Sequence, residues 1–447
     1  MLVVGLGTLV VPFDSSVNVA FPHIVRGFDL PIPSIQWVVI AYTLTYAALT
    51  LVFGRVSDML GYRLIFQIGN LTGAAAFLAC AASTEFGWLL ASRVLQGVGA
   101  ALALSCGPAL ATSLYPEDQR TRVLGLYTMM FGIGAVLGTV VAGQLVHYFG
   151  WQAVFWFRAP IALLSFALTW TLPKGERRGQ QTFDLPGAML LVVGIAAFLA
   201  ALNQMRAPGW GLGVAAGIAA VAVWGFVRQE SRVAQPILSL RFFRDVDFSL
   251  VTGAHALISL SGFSIMLLVP FYLDRLGGLS IPMSGLVLGS SPIGIMLSGP
   301  LGARLLKVIP ARRAALLAAA IMAVAQIAIG SQGEPARIPL LAMAMFLQGC
   351  GMGLFQVVCF DISTATIPRE DRGVAGSLAA MTRTVGVVTA ATVLMLIFQT
   401  LRAVGASRGL AEGEAFLMGF QGAFFIASTL PIGVVAVGLA RGWARRG

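Results

Sequence analysis

Fourteen apolar runs, each near or above the ~20 residues a helix needs to cross a bilayer, take up most of this chain. They fall at about 2–22, 34–54, 63–82, 86–113, 123–146, 152–172, 185–204, 210–228, 248–272, 283–306, 313–330, 338–365, 373–400 and 416–440. The runs are continuous and do not alternate polar with apolar residues, so they read as helices and exclude a β-barrel. Only 11% of the 447 residues are charged, and the mean hydropathy is +0.87. A soluble chain carries roughly 25% charged residues. The expected fold is therefore an all-α integral membrane protein. The run that begins at Leu2 lacks the basic leader of a secretory signal and is broken by Asp14, so it reads as a retained first span.

Two stretches 252 residues apart share one pattern. Leu95-Gln96-Gly97-Val98-Gly99 matches Leu347-Gln348-Gly349-Cys350-Gly351, Pro116 and Arg120 match Pro368 and Arg372, and Gly134 matches Gly386. A constant offset across two apolar runs and their connection marks structural repeats. Runs 1–6 and 9–14 form the copies, and runs 7 and 8 have no counterpart. The expected organisation is an N-terminal six-helix bundle over 1–172, an inserted helical pair with its linkers over 173–247, and a C-terminal six-helix bundle and tail over 248–447. Parallel repeats with a site between them are the plan of an alternating-access carrier.

The net charge of +11 has a topological origin. With the N-terminus cytoplasmic, twenty Lys and Arg residues fall in inside loops and the tail. Six (Arg26, Arg206, Arg275, Arg337, Arg402 and Arg408) fall outside, and Arg93, Arg158 and Arg383 lie within spans. This bias puts both termini in the cytoplasm, which an even number of spans satisfies. The basic charge thus calls for no nucleic-acid partner. Cys80, Cys106, Cys350 and Cys359 all lie in apolar runs and read as packing residues without a disulfide.

Other classes lack their chemistry. A phosphate loop needs Gly-Lys-Ser/Thr, and the two lysines, Lys174 and Lys307, precede Gly175 and Val308. His23, His147 and His255 are scattered, without a His-Glu-x-x-His pattern, so no metal site, no cofactor and no enzymatic activity are expected. A receptor built on a carrier fold stays open.

Intramembrane charges carry the functional expectation. Asp14 is the one carboxylate deep in a span of the first repeat. An ionisable group there costs about 2.5–3.5 kcal/mol, so it should face a cavity or a partner. Burial favours the neutral acid, and a nearby cation favours the carboxylate. Asp14 is thus a candidate for proton coupling or for recognising a cation, against a purely structural pairing with a neighbouring helix. Asn18 lies one turn on, on the same face. Tyr42 and Tyr46 share a face of span 2 and could line an aromatic cavity. Gly134, Gly138 and Gly143 read as packing positions. Asp361 and Arg383 lie in spans 12 and 13, where they could pair, or Asp361 could be a second proton site. Arg158 has no sequence partner and would suit an anionic group.

Several motifs resemble the major facilitator superfamily, and within it the fourteen-span drug:proton antiporters. Gly54-Arg55-Val56-Ser57-Asp58-Met59-Leu60-Gly61-Tyr62-Arg63 is similar to the signature Gly-x-x-x-Asp-Arg-x-Gly-Arg-Arg/Lys in the loop after span 2. Arg93-Val94-Leu95-Gln96-Gly97-Val98-Gly99-Ala100 is similar to the span-4 pattern Arg-x-x-Gln-Gly-x-Gly-Ala. Gln36-Trp37-Val38-Val39 with Tyr42, Phe183-Asp184-Leu185-Pro186-Gly187, and Arg383 with Gly386 are group-level marks. The resemblance implies two six-helix bundles plus an inserted helical pair, fourteen transmembrane helices in all. It implies proton-coupled export of lipophilic or cationic drug-like compounds, with Asp14 and Arg93 as coupling residues and Asn18, Tyr42, Tyr46, Arg158 and Arg383 about the substrate cavity. It further implies a cytoplasmic gate at Gly54, Asp58, Gly61 and Arg63, whose contacts form in one state and break in the other. The implied partners are a small-molecule substrate, protons and membrane lipid, with a periplasmic adaptor as a further candidate. The implied setting is a monomer in the cell inner membrane.

The chain departs from the family pattern at four places. Met59 replaces the signature Arg. Gly138-Thr139-Val140-Val141-Ala142-Gly143 keeps the outer glycines of the exporter motif Gly-Pro-x-x-Gly-Gly but loses its Pro and one Gly. Arg158 stands where the family has Asn. The second loop signature, near Gly299 to Arg313, lacks its acid. The eroded exporter motif favours the alternative reading, a proton symporter or facilitator for a small metabolite.

Overall fold

The computed structural model describes residues 2–113, 115–116, 120–172, 184–204, 209–233, 243–366 and 372–443. Among them the chain forms helices and no strands. Thirteen helices are long and apolar enough to cross a membrane, and a fourteenth segment, Leu185–Phe198, is apolar but shorter.

The first span is not one straight helix. Helix α1 (Leu2–Leu9) gives way to a 3-10 turn at Pro12–Asp14, and α2 (Ser15–Gly27) continues the crossing. Pro12 explains the break. It has no N–H to donate, and its ring crowds the carbonyl of Thr8 one turn back. The ladder tightens here into three-residue bonds, from Val11 N–H to Thr8 O (3.2 Å) and from Asp14 N–H to Val11 O (3.0 Å).

Helix α3 (Gln36–Leu60) runs through most of the Gly54–Arg63 signature, which the sequence reading places in a loop. No helix breaker lies between Gly54 and Leu60, and only Gly61, with φ of +97°, ends the helix. Helices α4 (Tyr62–Ala81), α5 (Phe86–Ser113) and α6 (Arg120–Phe149) follow. The sixth crossing comprises α7 (Ala153–Trp156) and α8 (Arg158–Leu168). Then come α9 (Leu185–Gln204) and α10 (Trp210–Glu230). The remaining helices are α11 (Val246–Arg275), α12 (Ile281–Leu305), α13 (Ala311–Gly330), α14 (Ile338–Thr366), α15 (Arg372–Ser407) and α16 (Glu412–Ala440).

The chain forms two compact units, 1–237 and 238–447. In the first, α5 packs on α3 and α4, α2 on α6, and α4 on α8. In the second, α14 packs on α12 and α13, α11 on α15, and α13 on α16. The pairings repeat in order, as the 252-residue offset requires. Helices α9 and α10 pack on each other, with α9 also against α3, inside the first unit.

Repeated glycines make the repeated contacts. A Cβ on Gly97 would lie 2.7 Å from Thr45 Cβ and 2.8 Å from Tyr42 O of α3, and one on Gly349 would meet the Ser291 carbonyl of α12. In a bilayer lipid tails are as apolar as leucine, so close backbone packing of this kind holds helices together. The first unit's core holds Phe66, Leu102 and Cys106, and the second's holds Ala315, Ala318, Met322 and Phe355. Val214, Ile218, Val221 and Trp224 of α10 point outward, as lipid contact demands.

Candidate functional site

Asp14 occupies the break in the first span, held there by α6. Gly134 and Gly138 let the Pro12–Ser15 backbone come against that helix; a Cβ on Gly134 would meet Pro12 Cγ at 2.7 Å, and one on Gly138 would meet Phe13 Cα at 3.0 Å. Ser15 Oγ donates to Ala135 O across the contact (2.8 Å).

At this turn the Asp14 carboxylate accepts four hydrogen bonds. Arg93 of α5 supplies two, from Nη1 to Oδ1 (2.6 Å) and from Nη2 to Oδ2 (2.9 Å). Gln96, one turn along α5, donates from Nε2 to Oδ1 (2.8 Å). Arg158, at the start of α8, donates from Nη1 to Oδ1 (3.0 Å). Oδ1 takes three of these bonds and Oδ2 takes one, against about four lone-pair sites on the carboxylate as a whole.

The two guanidinium groups are equipped unequally. Arg93 also donates from Nε to Val38 O (2.9 Å) and from Nη1 to Gln96 Oε1 (2.8 Å), and it lies over the Tyr42 ring at 4.5 Å. Arg158 lies 4.6 Å from the Phe77 ring centre and 5.3 Å from that of Phe155. Those faces attract the cation but give its edge no acceptor, and its Nε and Nη2 are buried without a hydrogen-bond partner. Both arginine side chains are almost wholly buried, whereas the Asp14 side chain keeps 17% of its surface open. With all three groups ionised the cluster carries one positive charge in excess.

A small cavity of about 20 Å³ adjoins the cluster, lined in part by Tyr42, Asn70, Phe77, Gln96 and Ala162. It is roomy enough for about one water.

The structure therefore brings together Asp14, Arg93, Arg158 and Tyr42 of the residues singled out in the sequence. Tyr46 packs against Tyr42 with ring centroids 5.3 Å apart and the rings tilted by 47°, and Asn18 lies half-buried on α2. Arg383 is on α15 in the other unit, where its charge bears on His255 of α11. Asp361 is exposed near the end of α14. At the signature, Arg63 donates to the carbonyls of Leu172 and Trp170 (3.2 Å for the second), tying α4 to the end of the sixth crossing. The Asp58 side chain lies outside the described residues, as does the linker at 173–183. Gly54 has no neighbour within 4 Å of an added Cβ.

Sequence reasoning overlooked Gln96 as a ligand of Asp14 and left Arg158 without a partner. Gln96 was legible, because a residue three positions after Arg93 shares its helix face. Arg158 was not, since its pairing spans 144 residues. In the second repeat the 252-residue offset puts Met345 in place of Arg93. There Gln348 accepts from Ser291 Oγ (2.8 Å) and donates to Gly262 O (3.3 Å), a neutral network where the first repeat has ions.

Among curated proteins, the chain is 26% identical over 386 residues to the riboflavin transporter RibZ of Clostridioides difficile (strain 630), covering 86% of this chain and 84% of that one. It is 29% identical over 400 residues to the puromycin resistance protein pur8 of Streptomyces alboniger, covering 86% and 78%. It is 27% identical over 399 residues to the tetracenomycin C resistance and export protein of Streptomyces glaucescens, covering 85% and 71%. Among solved structures, a POT peptide transporter in complex with sulfate superposes with a TM-score of 0.73 at 16% identity, covering 99% of this chain and 94% of that one. A bacterial homologue of the human lysosomal transporter Spinster gives 0.71 at 16% identity, covering 99% and 95%. The fold and its repeats agree with the family description that matches residues 4–391; this chain is a multi-pass membrane protein belonging to the Major Facilitator Superfamily.

Proposed function

We propose that this chain is a proton-coupled secondary transporter of small organic molecules, with Asp14 as the group that takes up and gives up the proton. The observation that carries the reading is a carboxylate set at a helix break in the membrane and clamped by Arg93, Gln96 and Arg158. An intramembrane acid with defined partners is functional by default. The four donors suit the ionised form, so taking up a proton weakens the clamp. That weakening links protonation to a change of conformation, which is what coupled transport needs. Access to the site then alternates between the two sides of the cell inner membrane, with both termini cytoplasmic. The relatives named for puromycin resistance and for tetracenomycin C export support export by antiport. A second reading, symport with a small metabolite, is supported by the surplus charge and idle donors of Arg158.

Substrate-driven proton movement in oriented vesicles tests the proposal. A proton gradient is imposed, drug-like cations and organic anions are added in turn, and pH is followed for wild type and Asp14→Asn. The expected result is a substrate response that disappears in Asp14→Asn. Unchanged proton stoichiometry in that variant sinks the role given to Asp14.

A further inference from the structure

We propose that Arg158 is a substrate-binding residue, and that the group it binds is the carboxylate or sulfonate of an organic anion. The inference rests on the reading of Asp14 as the proton carrier and names the substrate class for the same cluster.

Three facts converge on Arg158. Its Nε and Nη2 are buried donors without an acceptor. Leaving a buried charged donor unmade is costly, so a protein keeps such an edge where something else completes it. Among the described residues the one carboxylate that pairs with Arg158 is Asp14, which it shares with Arg93 and Gln96. The excess charge of the cluster asks for one more anion. A planar guanidinium edge with two parallel N–H groups matches a carboxylate or sulfonate two-fold. The Phe77 and Phe155 rings on its faces keep that edge in one orientation.

Of the three side chains Asp14 has the most open surface, 17% against 2% for Arg93 and 0% for Arg158. A proton on Asp14 neutralises the carboxylate and frees Nη1 of Arg158, so proton and organic anion reinforce each other's binding. By linkage the reinforcement is mutual, and it accords with the second reading, symport. The groups facing Asp14 are Arg93 and Gln96 from α5, Arg158 from α8, Tyr42 from α3 and Cys80 from α4. Helix α6 brings Gly134, Gly138 and the Ala135 carbonyl to the turn. Among the described residues Asp14 is the only anion paired with either arginine.

Purified protein in lipid nanodiscs is melted with benzoate, benzenesulfonate, uncharged benzamide or cationic benzyltrimethylammonium at millimolar concentration. Benzoate and benzenesulfonate raise the melting temperature of wild type, and the other two do not. Arg158→Gln abolishes the rise. Arg158→Lys keeps the charge but loses the fork, and weakens the apparent affinity about tenfold or more, the worth of one charge-assisted hydrogen bond; it carries the test if Arg158→Gln does not fold. Asp14→Asn retains the anion response. The inference is overturned if neither anion stabilises wild type, if the anion effect survives Arg158→Gln, or if benzamide or benzyltrimethylammonium stabilises equally. Proton movement in Asp14→Asn vesicles separates the two readings. Persistence there defeats the proton carrier and leaves the anion site standing. Loss of proton movement, with anion binding indifferent to Arg158, defeats the anion site alone.

Discussion

At the scale of single residues, the cluster divides its work between two arginines that composition treats as equals. Arg93 spends its donors on Asp14, Gln96 and Val38, so its geometry is over-determined. Lysine cannot reproduce a fork that also donates from Nε. Arg93→Lys is expected to lower the transport rate at least about tenfold, the effect of losing one charge-assisted bond, with little change in the amount of protein in the membrane. Initial rates normalised to protein in vesicles check this. A rate within twofold of wild type would mean that only the charge at position 93 matters. Asp14 and Arg93 were legible in the sequence because ions are rare in apolar runs and stand out singly. What they touch was less legible, since hydrogen bonds between α1–α2, α5 and α8 depend on how helices far apart in sequence dock. Arg158 shows the limit: its departure from the family pattern was visible, but its partner was not.

At the scale of elements, two local devices set the site. Pro12 interrupts the first span, and small residues let α3, α5 and α6 approach. The sequence shows a helix-length apolar run and also shows Pro12, but hydropathy alone does not say that the break will fall beside the acid. The same blindness applies to the Gly54–Arg63 signature, whose helical extent depends on the single positive-φ residue Gly61. A contrast between two glycines tests the packing account. Gly97→Ala would drive a methyl into Thr45 and the Tyr42 carbonyl, moving the helix that carries the ring beneath Arg93. Overpacking of this kind costs about 1–3 kcal/mol. Gly54→Ala meets nothing within 4 Å, and replacing a mid-helix glycine by alanine gains about 0.5–1 kcal/mol. Thermal melting in detergent should therefore show Gly97→Ala below wild type and Gly54→Ala at or above it. The reverse order would contradict the packing seen here.

At the scale of the whole molecule, repetition and charge bias make different contributions. The 252-residue offset fixes that helix pairings recur in each unit, and they do, from α3 on α5 and α12 on α14 outward. It does not fix chemistry, because the second copy replaced the ions at this place by Met345 and a neutral glutamine network. The proposed orientation rests on the twenty-to-six bias of Lys and Arg, an energetic preference that acts on loops and is indifferent to the core. Helix α13 offers a direct test, since Lys307 precedes it on the side assigned to the cytoplasm and Ser331 follows it on the opposite side. Both positions are exposed. The native cysteines lie within apolar helices, three of them buried, and compete little for a polar reagent. A membrane-impermeant maleimide should label Ser331→Cys in intact cells and Lys307→Cys only after the membrane is opened. If Lys307→Cys reacts first, both termini face the other side, and the proton path to Asp14 must be drawn from the opposite compartment.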